Sequence, residues 1–468
     1  MSDAPGAGLK RELGLFDSTM IVAGSMIGSG IFIVSADIAR TVGGAGWLLV
    51  VWLITALITV TAAVSYGELA GMIPHAGGQY VYLREAYGPL AGFLYGWTLF
   101  LVIQTGTIAA VAVAFAKYTG VLLPWFSEQN ILFEAGRLHV SAAQLLAIAV
   151  IAFLTWLNLR GLKLGKLVQN LFTVAKIASL VGLALLVFYA LRHGSAWSAN
   201  WQTAWQGVWQ HADAAPEPLS GLKLWAAIGV AMVGSLFSAV AWENITYTAG
   251  ETRRPERDVA LALVLGTSLV SLLYILANVT YLAVLPMDAI QSAPRDRVAS
   301  AALSALFGAP GGLLMAALIM VSTFGCNNGL ILSGARVYYA MSKHGLFFEK
   351  IGTLNRNSVP GAALVLQGIW AGLLCLSGAY GDLLDYVVVA TLVFYGMTVA
   401  GIFVLRFKKP DAPRPQKAWG YPLVPAFYIL ACAAISLDLL VYKPAYTWPG
   451  LFIVLLGIPV YFLRKRRP

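Results

Sequence analysis

Apolar runs of about 20 residues, the length that crosses a ~30 Å hydrocarbon core as a helix, recur along the whole chain between short polar stretches. Twelve spans are predicted, near 16–36, 46–72, 88–122, 142–160, 166–191, 225–249, 259–285, 312–340, 361–379, 383–405, 422–441 and 447–463. The longest polar stretch, Arg192 to Gly221, is short and rich in Trp, Ala and Pro, so no soluble domain is expected. The polar head MSDAPGAGLKREL precedes the first span, and no small-residue cleavage site followed by a mature domain comes after it. That span is predicted to be a retained helix and not a signal peptide.

Composition supports an all-α membrane protein. Of 468 residues, 59% are hydrophobic and 11% charged, against roughly 25% charged in a soluble domain, and the mean hydropathy is +0.76. The net charge of +10 raises the question of a nucleic-acid partner. Most of the 31 Lys and Arg residues, however, fall on one side of the spans, in the groups around Arg84, Arg160, Arg253, Arg356, Arg414 and Arg464. The excess of Lys and Arg in cytoplasmic loops accounts for the charge, places both termini in the cytoplasm and leaves no need for nucleic acid.

Several function classes are disfavoured. No G-x-x-x-x-G-K-[ST] phosphate loop occurs, against ATP hydrolysis, and no G-x-S-x-G elbow occurs, against an α/β-hydrolase nucleophile. The five histidines lie in loops or near span ends without ligand spacing, and Cys326, Cys375 and Cys432 lie in apolar spans without paired spacing, so neither a metal site nor a disulfide framework is expected. A channel would need a filter-like sequence or a ring-forming acidic motif, and neither is seen. A secondary transporter, not an enzyme, is the leading class, and no cofactor is implied.

Such transporters carry interrupted hydrophobic segments at corresponding positions of two inverted halves. The first span contains AGSMIGSGIF, Ala23 to Phe32, with Gly24, Gly28 and Gly30, each weakening a helix by about 1 kcal/mol relative to Ala. A break there would free backbone groups that are tolerated in a membrane only against protein or a ligand cavity. The competing reading is close helix packing, since Gly24 and Gly28 have small-xxx-small spacing. The sixth span holds the matching stretch GSLFSAVAWENITYTAGE, Gly234 to Glu251. A five-plus-five repeat followed by two extra helices fits all twelve spans: tail 1–13, first repeat 14–191, second repeat 222–405, two further helices in 422–463 and a basic tail 464–468.

IGSGIF in the first span, PHAGGQYVYLREAYGPLAGFLYGW from Pro74 to Trp97, AGETRRPERDVALAL after the sixth span and GARVYYAMSKHGLFF after the eighth resemble the amino acid–polyamine–organocation family. The resemblance covers nearly the whole chain and is nearest to bacterial relatives of the L-type amino acid transporters and to the arginine/agmatine exchanger. It implies a LeuT-type fold of 12 transmembrane helices, two inverted five-helix repeats plus two peripheral helices, with helices 1 and 6 discontinuous. It also implies that backbone N–H groups across Ser25, Met26, Ile27, Gly28, Ser29 and Gly30 hold a substrate carboxylate. Carbonyls of Phe237, Ser238, Ala239 and Val240 would hold the substrate amine, and Phe237 would be the gating aromatic. Many relatives have glycine where this chain has Ala241, a departure that leaves the extent of unwinding open and leans toward a smaller substrate.

Two charges lie within spans. Lys176 follows Lys166 by ten residues, about 15 Å along a helix, near mid-membrane. A charge there costs roughly 2.5–3.5 kcal/mol and needs a wet cavity, carbonyl partners or a lowered pKa; snorkelling to an interface is a poor alternative at that depth. By resemblance, Lys176 stands where sodium-coupled members of the fold hold an ion. Its ammonium would mimic the cation by bridging the first and eighth helices, with Ser322 and Thr323 as oxygen partners, or would load and release a proton. Glu243 matches a glutamate of the arginine/agmatine exchanger and is open to two readings, proton handling or structural support of freed backbone. Glu68, near the inner end of the second span, is expected to be a helix-end hydrogen-bond partner.

The function implied is transport of a small or medium neutral L-amino acid across the plasma (inner) membrane by alternating access, as an exchanger or a proton symporter. The alternative is a cationic amino acid or polyamine exchanger, favoured by Glu243. A non-transporting sensor would bind without flux, and a channel would give flux that does not saturate. Some relatives pair with a single-span glycoprotein through a cysteine in the loop between the third and fourth spans. The loop here, Leu122 to Ser141, has none, so no disulfide-linked partner is expected; the partners implied are the amino acid, the lipid bilayer and protons.

Overall fold

The computed structural model describes residues 9–135, 138–210, 215–377 and 380–465. Residues 1–8 of the expected amino-terminal tail and 466–468 of the basic carboxyl tail lie outside the described residues. The first half runs α1 (Leu15–Met26), α2 (Val34–Val42), α3 (Ala45–Met72), α4 (Gln79–Tyr87), α5 (Pro89–Thr98), α6 (Gln104–Leu122), α7 (Ala142–Leu159) and α8 (Leu162–His193). A five-residue π-helical segment, Leu99–Ile103, makes α5 and α6 one rod. After α9 (Ala196–Gln202) come α10 (Gly221–Ser238), α11 (Asn244–Tyr247), α12 (Pro255–Val284), α13 (Met287–Gln291), α14 (Val298–Phe307), α15 (Ala309–Lys343), α16 (Gly361–Leu376) and α17 (Tyr380–Lys408). The last two are α18 (Leu423–Tyr442) and α19 (Pro444–Lys465).

Among the described residues ten helices are long and apolar enough to cross a membrane. Two of the twelve expected spans are shorter: the first is divided into α1 and α2, and the ninth, α16, has 16 residues. The apolar helix α14 and two hairpins, Ile131–Ala135 with Leu138–Ser141 and Gly207–Trp209 with Glu217–Leu219, lie between the expected spans. They are too short to register in a scan for membrane-length runs.

Local chemistry sets the helix ends. Ser141 opens α7 with a capping box: its hydroxyl accepts the Gln144 N–H and its own N–H donates to Gln144 Oε1 at 2.8 Å, satisfying two of the donors that a helix start leaves unpaired. Pro255, whose missing N–H is no loss in a first turn, opens α12, followed by Glu256 and Asp258. Within α8, Gln169, Thr173, Lys176, Leu180 and Leu183 recur at three- and four-residue steps and are buried. Leu167, Leu171, Val174, Val181, Leu185 and Phe188 on the other side are exposed. One face suits protein and the other suits hydrocarbon, as expected for a membrane helix at the edge of a bundle.

α1 packs against α8, α12 and α15, whereas α2 packs against α3 and α10. Below α10, the short α11 packs against α1 and α15. The two interrupted segments therefore cross, each half of one lying against the opposite half of the other.

Candidate functional site

α1 stops at Met26, where Ile27 turns to extended backbone (φ −74, ψ 92). A 3-10 turn, Gly30–Phe32, follows before α2 begins. Two glycines show why small residues stand here. A Cβ on Gly24 would lie 2.0 Å from Gln169 Nε2 and 2.2 Å from Thr173 Oγ1, so this glycine admits α8. A Cβ on Gly30 would lie 2.2 Å from Ser238 Oγ, so this one lets the two breaks touch. Packing and interruption, set against each other as readings of the stretch, both apply, at different positions.

The carbonyls of the first break are taken up by side chains from three other helices, α8, α12 and α15. Lys176, 1% exposed, donates from Nζ to Gly24 O at 2.6 Å, Ile27 O at 2.8 Å and Ser322 O at 3.3 Å. The Ser322 hydroxyl donates to Ile27 O and Gly28 O, at 3.2 and 3.1 Å. Cys326 Sγ donates to Ser25 O at 3.0 Å, and Tyr281 to Ile31 O at 3.3 Å. The Tyr274 hydroxyl lies 3.0 Å from Met26 O and 3.0 Å from Ser238 O, one proton shared between the two breaks. Lys176 thus bridges α1 and α15 as expected, but the Ser322 atom it meets is the main-chain carbonyl. Thr323, expected as a second oxygen partner, is a correction: its hydroxyl turns back to Ile319 O and Met320 O of its own helix, the ordinary choice of a mid-helix threonine.

The N–H half of the same break is different. Among the described residues, the N–H groups of Gly28, Ser29 and Gly30 have no backbone acceptor, although all three residues are buried. Buried donors without acceptors are costly. They stand next to carbonyls that are already satisfied.

The second break begins after Ser238. Ala239 N–H closes the helix on Ser235 O and Leu236 O, and Val240 N–H reaches Phe237 O at 3.5 Å. Ala241 then adopts φ +68, a left-handed conformation that costs an L-residue roughly 1–2 kcal/mol. The break therefore forms without the glycine that many relatives of the resembled family have there. Of the four carbonyls expected to meet an amine, that of Ser238 accepts from Tyr274 and that of Phe237 accepts from Val240. The Ala239 and Val240 carbonyls take no backbone N–H among the described residues. Phe237, the expected gate, is buried at the end of α10.

Glu243, 3% exposed, accepts from the Tyr247 hydroxyl at Oε1, 3.1 Å, and from the Tyr395 hydroxyl at Oε2. Tyr247 pairs in turn with Tyr95. The carboxylate thus ties α11 to α5 and α17.

At the amino-terminal end of the described chain, residues 12–13 are latched to the segment that follows α11. Glu251 O accepts the N–H groups of Glu12 and Leu13, at 2.8 and 2.9 Å, and Arg253 N–H donates to Leu13 O at 2.9 Å. The Glu251 carboxylate is clamped by Arg336 of α15, Nε to Oε2 at 2.8 Å and Nη2 to Oε1 at 2.9 Å, with both side chains 1% exposed. Arg336 is a buried partner; its position inside the expected span 312–340 was the signal available in the sequence. Tyr274, by contrast, looks in the sequence like any aromatic of an apolar run. Glu68 is more than a helix-end partner: it accepts from Arg406 at 2.8 and 2.7 Å and from Ala418 N–H at 2.7 Å.

A family profile described as amino acid permease matches residues 13–461. The chain is similar, at 32% identity over 467 residues, to the large neutral amino acids transporter small subunit 2 of Oryctolagus cuniculus, an alignment covering 99% of this chain and 82% of that protein. The Homo sapiens protein of the same name is 31% identical over the same shares. The b(0,+)-type amino acid transporter 1 of Mus musculus is 29% identical over 466 residues, 97% of this chain and 88% of its own length.

Proposed function

The chain belongs to the amino acid permease family, and on that premise we propose that it exchanges small or medium neutral L-amino acids by alternating access at the crossing of its two breaks. It is a multi-pass membrane protein that transports amino acids. The observation that carries the proposal is the asymmetry of the first break, whose carbonyls are engaged by side chains while the N–H groups of Gly28, Ser29 and Gly30 lack backbone acceptors. A substrate carboxylate supplies the missing acceptors, and the Ala239 and Val240 carbonyls accept from its ammonium across the gap. Ser25, Met26 and Ile27 act through their backbone as the frame of that cradle, and Phe237 covers it. Lys176 takes the part of a bound cation, with Ser322 beside it.

The crossing of α1 and α2 with α10 and α11 supports a LeuT-type fold: 12 spans, an inverted repeat over 14–191 and 222–405, and α18 and α19 at the periphery. Both termini are proposed to be cytoplasmic and the membrane to be the plasma membrane, from the distribution of Lys and Arg. The protein is read as a carrier and not an enzyme. Although two of the relatives above are named as small subunits, the three cysteines here are buried in helices. We propose no disulfide-linked partner.

The cationic alternative has its counterpart in the b(0,+)-type relative and in Glu243. The neutral reading is preferred because two tyrosine hydroxyls already meet that carboxylate, which favours its structural role over proton handling. The test is uptake of labelled alanine, leucine and arginine into proteoliposomes, with and without internal amino acid and with and without an inward acid gradient. Exchange of neutral substrates predicts saturable alanine or leucine uptake that requires internal amino acid. Uptake into empty vesicles that grows with the acid gradient would replace exchange by proton symport, and arginine as the better substrate would establish the cationic alternative.

A further inference from the structure

Under the latch, a cavity of about 210 Å³ opens on the amino-terminal face between the 10–12 segment, the turn from α7 to α8, Glu251 and residues 356–358. Its wall carries four cations, Lys10, Arg160, Lys163 and Arg356, and two carboxylates, Glu12 and Glu251. Arg160 is held over the Trp156 ring, 4.6 Å from its centroid. The start of α8 lies in the same wall, after Gly161 at φ +125; this 32-residue helix presents first-turn N–H groups and the positive end of its dipole. Of the two carboxylates, Glu251 is committed to Arg336. Glu12 is not: its Oε2 is buried and has no hydrogen-bond partner among the described residues.

The arrangement has both signs of charge, a cluster of cations with a helix start on one side and the Glu12 carboxylate, in no ion pair among the described residues, on the other. A simple anion satisfies only the first side. A zwitterion satisfies both. We propose that this cavity is a loading site for a cytoplasmic amino acid, its carboxylate held by Arg160, Lys163, Arg356 and the start of α8, and its ammonium by Glu12. The proposal rests on the exchange reading above and adds a station on the inner side. The Glu12 backbone is also a strand of the latch, so a ligand drawn to its side chain sits against the segment that must move before the substrate can pass between this cavity and the breaks.

The test separates the two sides of the membrane. In proteoliposomes of one orientation, uptake of external labelled substrate is followed as internal amino acid is varied. Lys163→Gln and Arg356→Gln change exposed side chains, so the fold is expected to tolerate them. Each is expected to raise the half-saturating concentration of internal amino acid about tenfold, the loss of one charge-assisted contact, with the external KM and the rate at saturating internal amino acid unchanged. Glu12→Gln is expected to raise it likewise, and an internal 2-hydroxy acid, which keeps the carboxylate and lacks the ammonium, is expected to compete poorly in the unaltered protein. Unchanged internal half-saturation in all three variants overturns the loading site while leaving exchange intact. Effective competition by the hydroxy acid or by inorganic phosphate, insensitive to Glu12→Gln, overturns the zwitterion assignment in favour of a general anion site. No dependence on internal amino acid in the unaltered protein overturns both the exchange reading and this one.

Discussion

Replacing Lys176 by methionine, a neutral side chain of similar length, tests whether the first break is held in shape from α8. The structure says which carbonyls suffer. Ile27 O keeps the Ser322 hydroxyl at 3.2 Å, and Ser322 O is the weakest contact, at 3.3 Å, on a carbonyl that lies within α15. Gly24 O, 2.6 Å from the ammonium, is left without its donor. A buried acceptor stripped of its partner costs about 1–3 kcal/mol, or about 5- to 150-fold in the balance between the ordered break and relaxed ones. The same change removes a buried charge from an apolar helix, where a charge at the helix centre costs roughly 2.5–3.5 kcal/mol on insertion, which offsets the loss in overall stability. The expected result is therefore a split: substrate KM rises or maximal exchange falls by one to two orders of magnitude, while the detergent-purified protein stays monodisperse and melts near the normal temperature. Normal exchange kinetics at every pH would refute the assignment. A variant that fails to fold would refute the energetic balance.

Three further outcomes are expected. Glu251→Gln leaves the buried Arg336 guanidinium without its counter-charge, a loss of about 3–5 kcal/mol that thermal melting should reveal; adding Arg336→Met should recover most of it, and a single variant as stable as the parent would show that the pair is not a latch. Ala241→Gly relieves the left-handed alanine and should raise the melting temperature, a gain of up to roughly 1 kcal/mol, whereas a lower melting temperature would mean that the alanine side chain contributes more by packing than it loses by conformation. His344, at the end of α15 beside Tyr80, has its imidazole held down to about 4 by burial and, secondarily, by Arg84. The unfolded chain takes up that proton near 6.5 and the folded one only near 4, so stability is complete above 6.5 and declines as pH falls through that window. His344→Gln should flatten this decline in a melting series, and an unchanged slope would count against it.

Ten of the spans, the interruptions at Ala23–Phe32 and Gly234–Glu251, and the place of Lys176 inside an apolar span were legible in the sequence. A bilayer imposes a one-dimensional rule: each spanning segment must satisfy its own backbone and show apolar side chains over a fixed length, so length, hydropathy and clustered glycines carry the information directly. The tertiary structure decided which groups meet at the breaks. Lys176 and the Gly24 carbonyl are 152 residues apart, and Ser322 lies 294 from Gly28. Tyr274 reaches Met26 across 248 residues, and its role as the hydroxyl shared by both breaks leaves no mark in an apolar run that also holds Tyr281. Arg336 and Glu251, 85 residues apart, each show in the sequence only as a charge near a span end. An apolar pattern says which face of a helix avoids water, but a hydrogen bond between helices depends on their rotation and depth relative to one another, and those are set only when all the helices pack together.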